Sequence, residues 1–523
     1  MGGRILSPEP LHILASMSEG ETRVSRTWNG LLGFLAIPTA VAAVVATLAR
    51  LPYLWDMPGL DATQYLTAAR AWIDGLVPYE ELFAEKGPLV YIFLVGLQAV
   101  APASIVAVHL AFLAVVVISA ALLVALVQRH AGRGVAWWTA VVYALLASSP
   151  LWQFDDVNTE QLGLPFMVAA VDLADRYGLA GRWWQAAGSG AATAACFWVK
   201  PSIAFIGPLV LALLVMRPDR RLLGLAAAAG GALAMSAATL GPYAAAHALD
   251  AFRFSQDTYN QEYVSRGFDD LASRSFDDRF FWIFSVPGSG LFVAGLTFGA
   301  LAWMLNRHRR LVAIGTAWLL LEFAGAKLGV RDFAHYFVPM LPPCALLICL
   351  GGDAIAAHLT GIDRRARTAL ALAATLPLAA YLVLDAAIVR VTGTFNSRAD
   401  QAEQISEIVE NVTAPDQRIY VAAFSDGYQV YWLSGRPPAT RFYFAEVMGA
   451  SPYYYEPDYV GRVRESLKRH PPAAIVVWPG SQAATGSGYV EPAIRRGNLR
   501  QVADIDGVQV FARRAPPADA GSG

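Results

Sequence analysis

Two carboxylates and a lysine lie close together in one polar stretch, residues 61–91, between long apolar segments. Asp61 is followed four residues later by Tyr65, and Glu85 stands directly before Lys86. A carboxylate can take a proton from an attacking hydroxyl, and a lysine can hold a phosphate as a point charge. Asp61 also stands where a helix N-cap would, so capping and general-base catalysis both stay open for it. The stretch predicts chemistry on a phosphate that lies at the depth of the lipid headgroups.

A second acid, Glu160, ends the polar run 152–160 directly before an apolar segment. An ionised carboxylate at a membrane edge is costly unless it is paired or binds something, so Glu160 is a second catalytic candidate. If Glu160 and Asp61 meet, they can divide the roles of base and metal ligand. Lys200 lies between two apolar runs, where it either snorkels to water or binds a carboxylate or a phosphate.

A third polar run, 327–336, carries Arg331 and His335. Arginine here suits an anion, and we expect Arg331 to bind the same phosphate as Lys86. His335 is either a metal ligand or a structural histidine with its hydrogen bonds satisfied. Glu85 either pairs with a nearby cation or joins His335 around a divalent ion. Five further side chains suit a sugar hydroxyl or a phosphate: Tyr65, Tyr259, Tyr263, Arg266 and Tyr336.

The composition makes the bilayer the solvent of this chain. It has 523 residues, of which 56% are hydrophobic and 15% charged, with a mean hydropathy of +0.42. A soluble protein of this length is less apolar, so we expect a multi-pass α-helical membrane protein. The formal net charge of −1 argues against a nucleic-acid partner. No glycine-rich phosphate loop is found, so no nucleotide cofactor is expected. The three cysteines lie in apolar runs without paired spacing, which excludes a disulfide framework.

Arginine clusters fall in alternate loops between the apolar runs, which predicts a cytoplasmic N-terminus and a C-terminus outside. This assignment requires that 88–100 does not cross the membrane, and we expect a short juxtamembrane or re-entrant helix there. About eleven membrane spans then remain. They are 30–50, 103–127, 135–151, 161–177, 183–199, 202–216, 222–247, 281–305, 311–326, 337–357 and 368–389.

The first outer loop, 51–102, should contain a helix that begins with Asp61 as its N-cap and closes at Gly75. Gln64, Arg70 and Asp74 fall opposite its apolar side, the pattern of a helix lying in the membrane interface.

The apolar density falls after Asn396, and short strand-like runs alternate with helical ones. The strands are expected at 418–424, 473–478 and 507–511, and the helices near 398–411 and 459–469. These segments predict a small extracytoplasmic α/β domain. The expected parts are a cytoplasmic segment 1–28, a transmembrane catalytic domain 29–390, the α/β domain 391–515 and a disordered tail 516–523.

Together these features resemble the GT-C class of polytopic glycosyltransferases, in the branch of protein O-mannosyltransferases and lipid A aminoarabinose transferases. Asp61 with Tyr65 is similar to the acid and tyrosine of that family's first outer loop. The run 85–89, Glu-Lys-Gly-Pro-Leu, resembles its Glu-Lys-Pro-Pro-Leu element. Glu160 is similar to its second outer-loop acid, and His335, followed by Tyr336 and prolines, to its His-Tyr element.

Two positions depart from the family pattern. Ala62 stands where a second acid often follows the first aspartate, and Gly87 replaces the first proline of the Lys-Pro-Pro element. Ala62 leaves Asp61 as the sole carboxylate at the tip of its loop, which counts against a protein mannosyltransferase in particular.

The resemblance implies an inverting transfer of a sugar from a polyprenyl-phosphate donor to a glycan, lipid or protein acceptor at the outer face of the plasma membrane. It implies that Lys86 and Arg331 hold the donor phosphate, and that Glu85 helps to hold a divalent ion beside it. Mannose, arabinofuranose and aminosugars all stay open. A secondary transporter or lipid flippase is the main alternative, although related halves with broken helices are not visible. A non-catalytic polymer-assembly subunit is a third.

Overall fold

The computed structural model describes residues 37–153, 158–275, 287–328, 333–359, 363, 365–366, 399–423, 426–444, 459–479 and 488–513. Within these residues the chain is mostly α-helical. Four described helices are long and apolar enough to cross a membrane, and four more are apolar but shorter. The predicted span 368–389, the N-terminal segment 1–28 and the tail 516–523 lie outside the described residues.

The helices before residue 360 form a bundle joined by short connections. A π-helical turn, Phe254–Tyr259, joins α9 to α10, and a 3-10 segment, Ala334–Met340, leads into α13. The bundle helices are α1 (Ile37–Tyr53), α2 (Leu60–Ile73), α3 (Pro88–Val100), α4 (Ile105–Leu146), α5 (Thr159–Ala180), α6 (Trp183–Val199), α7 (Pro201–Val215), α8 (Arg221–Ala245), α9 (Leu249–Arg253), α10 (Asn260–Ser273), α11 (Pro287–Met304), α12 (Arg309–Leu328) and α13 (Leu341–His358).

Helix α4 contains two of the predicted spans, 103–127 and 135–151. Its backbone is broken at Gly132, where φ is 82° and ψ is 178°. Only glycine adopts such angles readily. The chain therefore turns at this one residue, and the apolar stretches on either side stay helical. The predicted short helix at 88–100 is confirmed as α3.

Small residues set the spacing of helices α6 and α8. A Cβ at Gly190 would lie 2.0 Å from the carbonyl oxygen of Ala228, and a Cβ at Gly231 would lie 1.9 Å from that of Ala187. Backbones that approach this closely gain van der Waals contact, which is the main attraction between helices in a bilayer. The pair forms one side of the bundle, and α6 also packs on α5.

Helix α2 differs from the prediction in two respects. Its N-cap is Gly59, and Asp61 lies in the first turn, so Asp61 is not the cap. Of the three residues predicted on its polar side, Gln64 is only 4% exposed, whereas the side chains of Arg70 and Asp74 are 30% and 43% exposed. The burial of Gln64 is the second difference. The reason is that the loop after α2 and the C-terminal region cover it. The predicted end is confirmed, because Gly75 follows the helix with a φ of 92°.

The C-terminal region contains a four-stranded sheet in the order β1-β2-β4-β3. Strand β1 (Ile419–Ala422) pairs in parallel with β2 (Ala474–Val477). Strand β4 (Val508–Ala512) runs antiparallel to β2 and to β3 (Arg500–Ile505). The helices of the region are α14 (Ala399–Val412), α15 (Gln429–Ser434), α16 (Tyr459–Arg469) and α17 (Val490–Gly497).

The three predicted strands and both predicted helices of this region are confirmed, whereas β3 was not predicted. Strand β3 is an edge strand with mostly exposed or half-buried side chains, so its sequence lacks an apolar run. The region packs on the bundle through α15. The indole N–H of Trp432 donates to Oε1 of Gln98 on α3 at 3.0 Å, and both side chains are buried.

Candidate active site

Two lysine–glutamate pairs lie where the start of α3 meets the end of α6 and the start of α5. Nζ of Lys86 lies 2.8 Å from Oε1 of Glu85, and their side chains are 18% and 8% exposed. Lys200 forms the second pair with Oε1 of Glu160, with side chains 17% and 2% exposed. The charge of Lys86 acts on both members of the second pair, so the pairs form one electrostatic cluster.

The backbone around Glu85 is held by the segment that joins α9 to α10. The side-chain amide of Gln256 donates to the carbonyl of Glu85 at 3.2 Å, and Ser255 donates to that of Ala84. The hydroxyl of Tyr259 donates to Oε2 of Glu85 at 3.3 Å. All three donors come from one π-helical turn, a geometry that often marks functional sites. This single turn therefore holds both the backbone and the carboxylate of Glu85.

Tyr79 supports the same loop from inside. Its φ of 74° is a conformation that side chains rarely adopt. The ring is fully buried against Tyr91 and Tyr243, and its hydroxyl donates to the carbonyl of Lys86. Strain of this kind persists only where the surroundings fix it, so the position of Lys86 is well determined.

Gly87 brings the two lysines together. A Cβ at this position would lie 2.0 Å from the carbonyl oxygen of Trp198 and 2.7 Å from that of Val199. Only glycine lets the two backbones approach this closely. Since Lys86 directly precedes Gly87 and Lys200 directly follows Val199, this backbone contact sets the distance between the two pairs.

The carboxylate of Asp61 is half-buried, and within the described residues no donor lies at hydrogen-bonding or ion-pairing distance from it. Its charge acts on Lys86 and His335. Tyr65, one turn further along α2, places its ring 5.6 Å from Nζ of Lys86, a cation–π distance. Asp61 is therefore an acidic group beside the cluster that is available to accept a proton.

The second pair is completed by aromatic and hydroxyl groups. Thr159 donates to Oε2 of Glu160 at 3.0 Å. Nζ of Lys200 lies 3.7 Å from the centre of the Tyr336 ring. The hydroxyl of Tyr336 lies 3.4 Å from that of Tyr263 on α10. Lys200 therefore does not snorkel to water but is held between a carboxylate and a ring.

His335 is buried, and its ring stands edge-to-face on Tyr336 with centroids 4.8 Å apart. Its Nδ1 lies 2.5 Å from Oε1 of Gln153, whose backbone adopts a left-handed φ of 53°. The remaining ring nitrogen, Nε2, is left for a proton or a ligand.

Lys86 stays charged in this environment. Burial by itself would lower the pKa of its ammonium, but Glu85, Tyr65 and Asp61 together hold that pKa well above its ordinary value. A permanent positive charge is what binding to a phosphate requires.

The residues expected to hold a divalent ion do not form a ligand set. Both carboxylate oxygens of Glu85 have partners, in Lys86 and Tyr259, and Nδ1 of His335 is used by Gln153. In the part of the chain that the structure describes, no three His, Cys, Asp or Glu side chains are grouped so that they could hold a metal. The divalent ion stays one of the two hypotheses that the sequence left for Glu85, and the proposed mechanism has no step that depends on it.

The structure places most of the predicted residues in one cluster: Asp61, Tyr65, Glu85, Lys86, Glu160, Lys200, Tyr259, Tyr263, His335 and Tyr336. Arg266 forms an ion pair with Glu262 of its own helix at 3.0 Å. Arg331 lies outside the described residues.

Sequence reasoning missed several residues that position the cluster. Gln153, Thr159 and Gln256 are polar residues beside predicted ones, and their positions in the same loops were the only available signal. No signal in the sequence pointed to Tyr79, because its left-handed backbone and its burial against Tyr243 appear only in the folded chain.

Comparison with solved structures identifies the fold. The crystal structure of ArnT from Cupriavidus metallidurans bound to undecaprenyl phosphate aligns with a TM-score of 0.55 at 15% identity, over 92% of this chain and 98% of that one. The apo form of the same protein gives 0.56 at 16% identity, with the same coverage. The Archaeoglobus fulgidus oligosaccharyltransferase, tethered to an acceptor peptide with the NVT sequon, gives 0.52 at 13% identity, over 86% of this chain and 69% of that one.

No protein-family model matches the chain, and no curated protein does either. ArnT and the oligosaccharyltransferase are both GT-C glycosyltransferases, as the motifs in the loops predicted. This chain therefore has the GT-C fold, that of a membrane-embedded enzyme class.

Proposed function

We propose that this protein is an inverting glycosyltransferase that moves a sugar from a polyprenyl-phosphate donor to an acceptor in the cell envelope. The observation that carries the proposal is the carboxylate of Asp61, which has no described partner and stands beside two lysines that are each held by a glutamate. A base next to a phosphate site is the arrangement that transfer from a sugar phosphate requires.

Asp61 is the general base of the proposed reaction. It takes the proton of the acceptor hydroxyl as that oxygen attacks the anomeric carbon of the donor sugar. The bond between the anomeric carbon and the phosphate oxygen breaks on the opposite side, and its electron pair leaves with the phosphate. A single in-line displacement inverts the anomeric carbon. The proton on Asp61 then passes to water.

The leaving polyprenyl phosphate gains negative charge, which Lys86 and Lys200 are proposed to offset. Each ammonium is oriented in advance by its glutamate and by a tyrosine ring, Tyr65 or Tyr336. Such fixed charges need little reorganisation as the transition state forms, which is the main source of electrostatic catalysis. Glu160 acts here through Lys200, and Arg331 is proposed as a further phosphate ligand.

The comparisons support a lipid-linked donor. The ArnT structure holds undecaprenyl phosphate, and the oligosaccharyltransferase structure holds an acceptor peptide. We propose a donor of the first kind here, because the lysines lie next to apolar helices that can hold a prenyl chain. Three residues at the start of α10 and just before it are proposed to contact the sugar or the acceptor. They are Tyr259, Tyr263 and Arg266.

We propose that the cluster faces the outer side of the plasma membrane. The basic clusters in alternate loops place the N-terminus in the cytoplasm and the α/β domain, 391–515, outside. No nucleotide sugar is available there, so the donor must be lipid-linked. The membrane domain is proposed to span 29–390.

The proposal is tested with purified protein in lipid nanodiscs and a panel of polyprenyl-phosphate sugars carrying mannose, arabinofuranose or an aminosugar. Release of polyprenyl phosphate, with a new glycoside of inverted anomeric configuration, is expected for one donor and an envelope extract as acceptor. Asp61→Asn is the matched control. Movement of an intact lipid-linked sugar across the bilayer, without cleavage, would instead establish the flippase alternative.

A further inference from the structure

One short segment of the C-terminal region, 441–444, reaches both parts of the chain that carry the candidate catalytic residues. On the side of α2, the hydroxyl of Tyr443 donates to the backbone carbonyl of Gln64 at 2.8 Å. Tyr443 is 1% exposed. Gln64 is the residue before Tyr65 and lies one helical turn beyond Asp61, so the contact is made next to the proposed base.

The same segment contacts the loop that leads to Lys86. The backbone N–H of Phe83 donates to the carbonyl of Arg441 at 3.0 Å. The ring of Phe83 packs against Phe442 and Phe444, with centroids 5.9 Å and 5.6 Å apart. All three rings are almost fully buried. Four consecutive residues therefore hold a backbone that lies two positions before Glu85.

A third contact extends this support to the ion pair itself. The other neighbour of the Phe83 ring is Tyr259, with centroids 4.9 Å apart, and Tyr259 donates its hydroxyl to Glu85. The charge of Glu85 also acts on Tyr443. Segment 441–444 thus lies behind the proposed base on one side and behind the Glu85–Lys86 pair on the other.

Groups that react together must be held to about 0.5 Å, and a misplacement of about 1 Å can lower a rate by roughly a hundredfold. Asp61 and Lys86 stand on different parts of the first loop, with Gly75 between them, a residue that gives the chain little stiffness. Tyr79 supports the backbone at Lys86 from within the loop, and segment 441–444 contacts both parts from outside it.

We infer that segment 441–444 is a brace that sets the position of Asp61 relative to Lys86, and that Tyr443 is its positioning residue on α2. The expected effect on the rate rests on the proposed function. The expected effect on the position of α2 does not. Tyr443 touches neither donor nor acceptor in this account. It acts on the reaction through the placement of α2.

The variant Tyr443→Phe removes one hydroxyl and keeps the ring. We expect kcat for transfer to fall about tenfold, because α2 loses its anchor and a small displacement of the base is costly. The KM for the polyprenyl-phosphate sugar should stay within about twofold, since the hydrogen bonds to the Glu85 and Lys86 backbone are intact.

Tyr489→Phe is the matched control. The hydroxyls of Tyr489 and Tyr420 lie 2.8 Å apart inside the C-terminal region, where both tyrosines are buried. The control therefore also loses a buried hydrogen bond, and this bond lies within the C-terminal region. Its unfolding midpoint should fall as far as that of Tyr443→Phe, whereas its kcat should match wild type. An equal fall of kcat in both variants would reduce the role of Tyr443 to general stability and overturn the inference.

A measurement without substrate separates this inference from the proposed function. Hydrogen exchange of the backbone amides of α2, measured by mass spectrometry, should speed up severalfold in Tyr443→Phe and stay at the wild-type rate in Tyr489→Phe. Unchanged exchange in Tyr443→Phe would show that segment 441–444 does not hold α2 in place, and would overturn the inference. If the wild-type protein cleaved no donor at all, the proposed function would fail while this exchange result still decided the inference.

Discussion

The three carboxylates of the site differ in how their oxygens are used. Glu85 and Glu160 each face a lysine with one oxygen and a hydroxyl with the other. Asp61 has no partner among the described residues. A carboxylate that already accepts two strong hydrogen bonds is a poor base, because those bonds stabilise its charged form. This contrast is the reason why we propose proton transfer for Asp61 and lysine orientation for the glutamates.

Asp61→Asn should reduce transfer to background while the protein stays folded. The amide has the same size as the carboxylate, and the change breaks no described bond, so the unfolding midpoint should move by no more than that of a surface substitution. The measurement is release of polyprenyl phosphate under saturating donor. Turnover at the wild-type rate would remove Asp61 from the mechanism.

Lys86→Met and Glu160→Gln should both lower kcat but should differ in their effect on the KM for the donor. Loss of the Lys86 ammonium should raise the KM for the donor and also lower kcat, because the charge acts on both ground state and leaving group. Glu160→Gln keeps the hydrogen bond to Lys200 but weakens its orientation, so kcat should fall with less effect on KM.

A control is needed for Lys86, because a buried glutamate left without its partner can cost about 3–5 kcal/mol. The double variant Lys86→Met with Glu85→Gln removes that unpaired charge. If the double variant regained wild-type donor affinity, Lys86 would not be a phosphate ligand.

Transfer should persist after exhaustive chelation. Both oxygens of Glu85 are used within the protein, and its ammonium partner supplies a positive charge at the position where an ion would stand. Activity measured after treatment with a strong chelator, with and without added divalent ions, checks this. Loss on chelation with recovery on re-addition would return Glu85 and His335 to the role of metal ligands.

At the scale of elements, the backbone contact between Gly87 and Trp198 couples the loop after α2 to the break between α6 and α7. A Cβ at Gly87 has no space, since it would lie 2.0 Å from a carbonyl oxygen. Side chains cannot relieve such a contact because both partners are backbone. The spacing of the two lysines therefore depends on a residue that has no side chain of its own.

Gly87→Ala should separate the two lysine–glutamate pairs, lower kcat by at least about tenfold and lower the unfolding midpoint. Gly96→Ala on α3 is the matched control. A Cβ at Gly96 meets no atom within 4 Å, so alanine there should be neutral or stabilise by about 0.5–1 kcal/mol. Kinetics and thermal unfolding of both variants, prepared together, decide the point. Equal behaviour of the two would show that the close contact is not needed.

The sequence was sufficient where the signal is local and insufficient where it depends on tertiary contacts. Asp61, Lys86, Glu160 and Lys200 could be predicted because charged residues beside apolar runs are costly and therefore conspicuous. That Glu160 pairs with Lys200 could not be predicted, because the two residues are forty positions apart, with the rest of α5 and all of α6 between them. The same limit explains the burial of Gln64 on α2, because the Tyr443 side chain that contacts its carbonyl follows it by 379 positions.

At the scale of the whole molecule, the orientation of the bundle decides whether the site meets a lipid-linked donor outside the cytoplasm. The described helices show which loops share one end, since residues from loops 51–102, 152–160 and 253–280 meet in the cluster. The side of the membrane follows only from the distribution of arginines.

Single cysteines, placed in a background without Cys196, Cys344 and Cys349, test the orientation. Glu80→Cys and Asp416→Cys should react with a membrane-impermeant maleimide in intact cells, because both positions are exposed and are proposed to lie outside. Asn306→Cys, which is also exposed, should react only after the membrane is opened. The reverse pattern would place the site in the cytoplasm and overturn the choice of donor.

The bond between Tyr443 and Gln64 also has a consequence for biosynthesis. Its two ends are 379 positions apart. At about 5–20 residues per second, the ribosome needs roughly 20–75 s to make the second after the first. During that interval the chain has α2 but lacks the hydroxyl that binds the carbonyl of Gln64. A nascent chain should therefore carry out no efficient transfer until segment 441–444 has been made and has folded against α2.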